Sequence, residues 1–164
     1  PNNWSLQYFY EEIRNTSLVG ILFTFILVPI NYHRLNTRNI INANAFNTSK
    51  ITAIISNKTP SYINELDVDS KNVLYAKAEG NYIELFLSNG SKTLKRLTMK
   101  SLGNILDSYP NYIKTHRSYI VNINQIVSVN GNAQGYKLQL KNCSDIVPVS
   151  RNMISTFNKK MNSY

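Results

Sequence analysis

The sequence predicts a mainly β domain of packed short strands with one internal and one C-terminal helix, preceded by an apolar α-helix and a polar tether. Three observations carry that expectation. From about residue 65 onward, short β-forming runs alternate with turn residues. Residues 18–30 are almost wholly apolar, and residues 31–60 are rich in Asn, Thr and Ser with scattered Lys and Arg. A chain of 164 residues suffices for one compact domain with an extension.

The first element is the run "SLVGILFTFILVPINY". Its apolar residues, Ile21, Leu22, Phe23, Phe25, Ile26, Leu27 and Val28, cover every direction of a helix, and a helix apolar all round must be buried in something. A length near that of a bilayer span fits two environments, a membrane or the contact surface of a soluble assembly. Pro29 near the end is tolerated in a membrane helix. The following flank carries Arg34 and Arg38 without an acid, whereas the preceding one has Glu11 and Glu12 beside Arg14. By the positive-inside rule the C-terminal side of a span would then face the cytoplasm. There is neither a basic n-region nor a small-residue cleavage site, so a signal peptide is not expected, and the chain reads as a fragment of something longer. Residues 1–35 are therefore assigned to the apolar helical segment. Residues 36–64 show no sustained periodicity and are assigned to a mostly loose tether, with a helical extension at its start and a short strand over 51–55.

The β domain, residues 65–164, is built in order. Residues 73–78 and 82–87 read as strands. "SNGS" at 88–91 is a hairpin turn in which Asn89-Gly90 supplies positive φ, and residues 92–97 return as its partner. Thr98 can N-cap a helix over 99–108, whose Leu102, Ile105, Leu106 and Tyr109 share one face. Residues 112–115 and 119–122 are strands pinched apart by His116-Arg117-Ser118. Strands over 126–129, 136–140 and 146–149 follow, and Ser150 can cap a final helix with Met153, Ile154, Phe157 and Met161 on its buried side.

Lys and Arg number 18 against 9 Asp and Glu, a formal net charge of +9. That excess favours a polyanionic partner, nucleic acid or an anionic membrane surface. One cysteine, Cys143, excludes an intramolecular disulfide and a cysteine zinc site within the chain. The two histidines, His33 and His116, lie in regions of different composition, which disfavours a histidine metal pair. Pairing Cys143 with His116 as nucleophile and base is formally possible, but "KNCSD" is a turn without a nucleophile context. No phosphate loop, nucleophile elbow or paired His/acid spacing is present, so neither an enzyme, a cofactor nor a bound metal is expected.

What remains are the junctions between strands. Glu79-Gly80-Asn81, His116-Arg117-Ser118 and Ser150-Arg151-Asn152 each offer hydrogen-bonding groups, and two carry an arginine. Arginine suits phosphate and the O6/N7 edge of guanine, and asparagine can read adenine. The plain alternatives are a salt bridge from Arg117 to Glu79 and a structural role for His116. Arg151 in a first helical turn would oppose the helix dipole, which favours acids there.

"AEGNY" at 78–82, "HRSYIVN" at 116–122, "GYKLQLKN" at 135–142 and "VPVSR" at 147–151 resemble, in that order, the LytTR family of bacterial DNA-binding domains. The resemblance covers about residues 65–162. It implies a fold of packed short β-sheets and a transcription regulator that reads successive major grooves of double-stranded DNA, at imperfect direct repeats in promoters. It also implies that Asn81, Tyr82, His116, Arg117 and Arg151 contact DNA, with Lys114 and Asn152 on phosphates. The segment from "NW" through "EEIRNTSLVGILF" is similar to the end of the membrane region in a branch of this family. That places the regulator on the cytoplasmic face of the bacterial inner membrane, anchored there and able to form a homodimer. The competing expectation is a membrane-proximal interaction or signalling module binding anionic lipid or a partner protein.

Overall fold

The computed structural model describes residues 5–49 and 62–163. The chain opens with one long helix, α1 (Leu6–Ser49). Short strands β1 (Tyr62–Ile63) and β2 (Val68–Asp69) pair with each other, followed by β3 (Val73–Glu79), β4 (Tyr82–Leu87), β5 (Lys92–Lys95) and α2 (Met99–Leu106). Then come β6 (Tyr112–His116), β7 (Tyr119–Asn122), β8 (Ile126–Asn132), β9 (Gly135–Leu140), β10 (Ile146–Ser150) and α3 (Ile154–Asn162).

All strand pairs among the described residues are antiparallel, and two larger sheets result: a five-stranded one ordered β5-β4-β3-β7-β6 and a three-stranded one ordered β10-β9-β8. Alternation decides which face each residue covers. In β9, Tyr136, Leu138 and Leu140 are buried while Lys137 is exposed. The five-stranded sheet is covered on both faces. One face, with Ala76, Ile83, Leu85 and Ile120, packs on α2 through Leu102 and Leu106. The other, with Tyr75, Phe86, Ile113 and Val121, meets the three-stranded sheet and α3 through Leu138, Val147 and Phe157. A bulge between Val73 and Tyr75 interrupts the alternation of β3 and puts two successive residues, Leu74 and Tyr75, into the same core.

α2 starts where the sequence places it: Thr98 Oγ1 accepts the Ser101 N–H at 3.1 Å. The C-terminal helix starts later than its sequence suggests. Ser150 makes no side-chain cap bond; residues Arg151–Met153 form a 3-10 turn, and the α-helix begins at Ile154. Arg151 thus opens a 3-10 turn that runs directly into α3, and it still stands at the positive end of that helical segment.

The larger difference lies before the β domain. The helical extension expected at the start of the tether runs through residue 49, because α1 continues without interruption past Pro29. The expected strand over 51–55 falls outside the described residues. The cause of the continuation is packing. Asn39, Ala43, Phe46 and Asn47 recur at helical spacing on one side of α1, and that side lies on β8. Asn47 Nδ2 donates to the Val129 carbonyl at 3.0 Å while its Oδ1 accepts the Val129 N–H at 2.9 Å. One side-chain amide thereby replaces a neighbouring strand along the open edge of the three-stranded sheet. Asn39 Nδ2 donates to the Asn132 carbonyl at 2.6 Å. A Cβ at Gly131 would stand 2.1 Å from the Asn39 carbonyl oxygen, so helix and strand backbones meet at a position only glycine permits. Phe46 seals the joint. Its ring lies 6.4 Å from Tyr136 and 6.0 Å from Phe157, both edge to face.

The apolar part of α1 has no such cover. Leu22, Phe25, Ile26, Leu27 and Val28 are all exposed, and the helix is long and apolar enough to cross a membrane.

Candidate nucleic-acid interface

The three junctions are placed by strand register. β3 and β4 pair up to Glu79 opposite Tyr82, so Gly80-Asn81 closes a tight turn. β7 runs antiparallel to β3 and brings Tyr119 opposite Lys77. The Arg117-Ser118 turn between β6 and β7 therefore sits at the same end of the sheet as the Gly80-Asn81 turn. A hydrogen bond from the Ala78 N–H to the Ser118 carbonyl, 2.9 Å long, ties the two together.

The third junction follows β10. Ser150 pairs with Gly135, and a Cβ at Gly135 would come 2.2 Å from the Val149 carbonyl oxygen at a φ of 139°. That contact holds the start of the Arg151–Met153 turn against the β8–β9 connection. β10 and the 3-10 turn also pack on β6, the strand that leads into His116 and Arg117. Asn81 and Tyr82 are thus joined to His116 and Arg117 through β3 and β7, and Arg151 and Asn152 are joined to them through β6. Lys114 lies two residues before His116 on edge strand β6.

Asn81, Lys114, Arg117, Arg151 and Asn152 are exposed, Tyr82 is 46% exposed, and His116 is half-buried. The imidazole is oriented from both sides. Its Nδ1 accepts the Ser118 N–H at 3.2 Å, and its ring meets Tyr119 edge-on at 5.8 Å between centroids. With Nδ1 accepting, the neutral ring carries its proton on Nε2, where it can donate to an external acceptor. Tyr119 is not among the junction residues expected from the sequence, where it counts only as the start of a strand. Its closeness to His116 in "HRSY" was the available signal.

The expected partner of Arg117 is engaged elsewhere. Glu79 pairs with Lys77 at 2.7 Å. The hydrogen bond and charge of Lys77 hold the Glu79 carboxyl below its ordinary range, and Glu79 in turn raises the lysine. Among the described residues neither Arg117 nor Arg151 has a carboxylate partner. Both guanidiniums keep their donors for a ligand, and a fork of such donors matches phosphate or the guanine edge. Among the described residues there is no group of three His, Cys, Asp or Glu that could hold a metal.

Residues 64–162, more than half of the chain, match the family model described as the LytTr DNA-binding domain. The chain belongs to the LytTR family. A solved structure described as the LytTr DNA-binding domain of a methyl-accepting/DNA response regulator from Bacillus cereus is similar in fold. Its TM-score is 0.51 at 21% identity, covering 59% of this chain and 86% of that one. Among curated proteins nothing matches the chain. The LytTR assignment makes this a DNA-binding domain by family, on a fold of antiparallel sheets with a long N-terminal and a shorter C-terminal helix.

Proposed function

We propose that this LytTR protein is a sequence-specific transcription regulator anchored by α1 at the cytoplasmic face of a bacterial membrane. In this reading it recognises promoter DNA, at imperfect direct repeats, through its inter-strand junctions. The observation that carries the reading is the convergence of three junctions bearing two arginines that have no carboxylate partner among the described residues. The net charge of +9 supplies a phosphate-seeking background with a steep dependence on salt.

Each residue then has a task that its chemistry suits. Arg117 and Arg151 read guanine O6/N7 as bidentate donors, each contact worth about 1–3 kcal/mol of discrimination. Asn81 reads an adenine edge, and Tyr82 offers a ring and a hydroxyl beside it. His116 donates from Nε2 to a base or phosphate acceptor, while Lys114 and Asn152 hold the backbone and set the register. Two chains side by side on adjacent repeats would double the base readout. The exposed apolar stretch, ended by Arg34 and Arg38, supplies the anchor and its orientation.

The test is selection from a random duplex DNA pool by the detergent-solubilised full chain near physiological salt, repeated with Arg117→Ala and Arg151→Ala. A repeated motif enriched by the native chain and lost in both variants is the expected result. Enrichment of the same motif by the variants would refute the assignment of these arginines, and no enrichment by any chain would refute sequence reading. The full chain is needed because removing α1 would uncover the β8 edge.

A further inference from the structure

The register between α1 and β8 fixes which end of the β domain faces the apolar helix. Asn47 meets Val129, and Asn39 meets Asn132. Eight helical residues, about 12 Å, are matched against three strand residues, about 10 Å. The helix therefore runs alongside β8 and antiparallel to it. Followed back from Asn39, α1 leads to its apolar stretch. At the level of Asn39 lies the β8–β9 connection, where Asn132 pairs with Gly135 and Gly135 with Ser150. Arg151 comes next in the chain. The end of the domain that carries Arg151 is thus the end turned toward the apolar helix.

The distance is short. From Ile30, the last residue of the apolar run, to Asn39 is nine helical residues, about 13 Å. The interfacial layer of a bilayer takes about 6 Å of that. A duplex is thicker than the combined depths of its two grooves, about 8.5 and 7.5 Å. With α1 straight and docked, no duplex fits between this edge and a membrane. The helical residues in the gap are themselves cationic. Arg34 and Arg38, one turn apart, are exposed, and His33 stands beside them.

We propose that in the anchored chain Arg151, together with Arg34 and Arg38, forms one basic surface that docks on anionic phospholipid headgroups. Lipid and DNA then compete for the domain, and DNA gains access when α1 lets go of β8 or the anchor tilts. The proposal rests on α1 being a membrane span. The partner follows from charge and distance: the edge lies within a few ångströms of the headgroup layer, and each Arg near an anionic surface strengthens binding appreciably.

The experiment uses the full chain reconstituted into vesicles of phosphatidylcholine, alone or with phosphatidylglycerol. In a Cys143→Ser background, a dye is placed through Gln134→Cys in the β8–β9 connection or Lys141→Cys at the other end of β9. Both positions are exposed, and they stand about 23 Å apart along the strand. Headgroup-labelled lipid should quench the dye at 134 and spare the one at 141, more strongly with phosphatidylglycerol present. Equal quenching at both, or stronger quenching at 141, would overturn the proposal.

A second arm titrates the unlabelled chain with a random-sequence duplex. Binding should be weaker by about tenfold in phosphatidylglycerol vesicles than in phosphatidylcholine alone. Arg34→Gln with Arg38→Gln should narrow that gap and leave the affinity in detergent unchanged. Equal affinities in the two vesicles would overturn the competition. A chain that fails to float with vesicles overturns the anchor and the proposal together. Absence of DNA binding in detergent, with selective quenching at 134, would instead refute the regulator reading and support lipid docking.

Discussion

Four asparagines divide this molecule in two. On α1, Asn39 is 6% exposed and Asn47 half-buried, and both give their amides to the backbone of β8. On the junctions, Asn81 and Asn152 are exposed. The same side chain thus serves as a surrogate strand in one place and as a surface donor in the other. The difference teaches what decides whether a polar residue belongs to the fold or to a ligand. At the β8 edge, buried backbone groups would lose hydrogen bonds if the amide left. At the junctions the turns are already closed by the backbone, through the Ala78–Ser118 bond and the Ser150–Gly135 pairing, so the side chains can be changed without unmaking the fold.

This contrast is sharpened by substitutions on each side of it. The largest effect belongs to Phe46→Ala, which empties the aromatic joint between α1, β9 and α3 and should cost about 3–5 kcal/mol, read in denaturant unfolding. Asn47→Ala should come next. It leaves the Val129 N–H and carbonyl without their partner, at about 1–3 kcal/mol for a buried group left unpaired. Its affinity for DNA in detergent should stay near the native value if docking and reading are separate functions.

Arg117→Ala and Arg151→Ala should reverse that pattern. Each should lose about 1–3 kcal/mol of discrimination for the preferred site while the unfolding midpoint stays put, since exposed substitutions shift stability by about 0.5 kcal/mol or less. The smallest effect falls to Lys114→Ala. It should weaken binding to all sequences alike and lower the slope of log affinity against log salt by about one, visible in titrations at several salt concentrations.

How much of this could be read from the amino acids follows the same division. The strands were legible because alternation such as Tyr136, Leu138 and Leu140 around Lys137 has one interpretation. The turns at 80–81 and 117–118 were legible because polar residues interrupt β-forming runs there. The docking face of α1 was not. Two of its four contact residues are asparagine, a weak helix former that reads as loop, and only Ala43 and Phe46 mark the stripe as apolar. What makes Asn39 and Asn47 helical is the free edge of β8, more than eighty residues away in the chain. Tertiary packing overrode local propensity there, and no window of sequence contains both partners. The late start of α3 has a similar origin: the Arg151–Met153 turn packs on β6, and Ser150 pairs with Gly135 instead of capping a helix.

The measurement that bears most directly on the central claim pairs two variants of the full chain, Arg117→Ala and Asn47→Ala, each assayed for unfolding and for binding to the selected duplex in detergent. The account predicts a crossed result: Arg117→Ala binds its site about 5- to 150-fold more weakly with an unchanged midpoint, and Asn47→Ala unfolds earlier but still binds. An Arg117→Ala chain that keeps native affinity for the preferred site would contradict it.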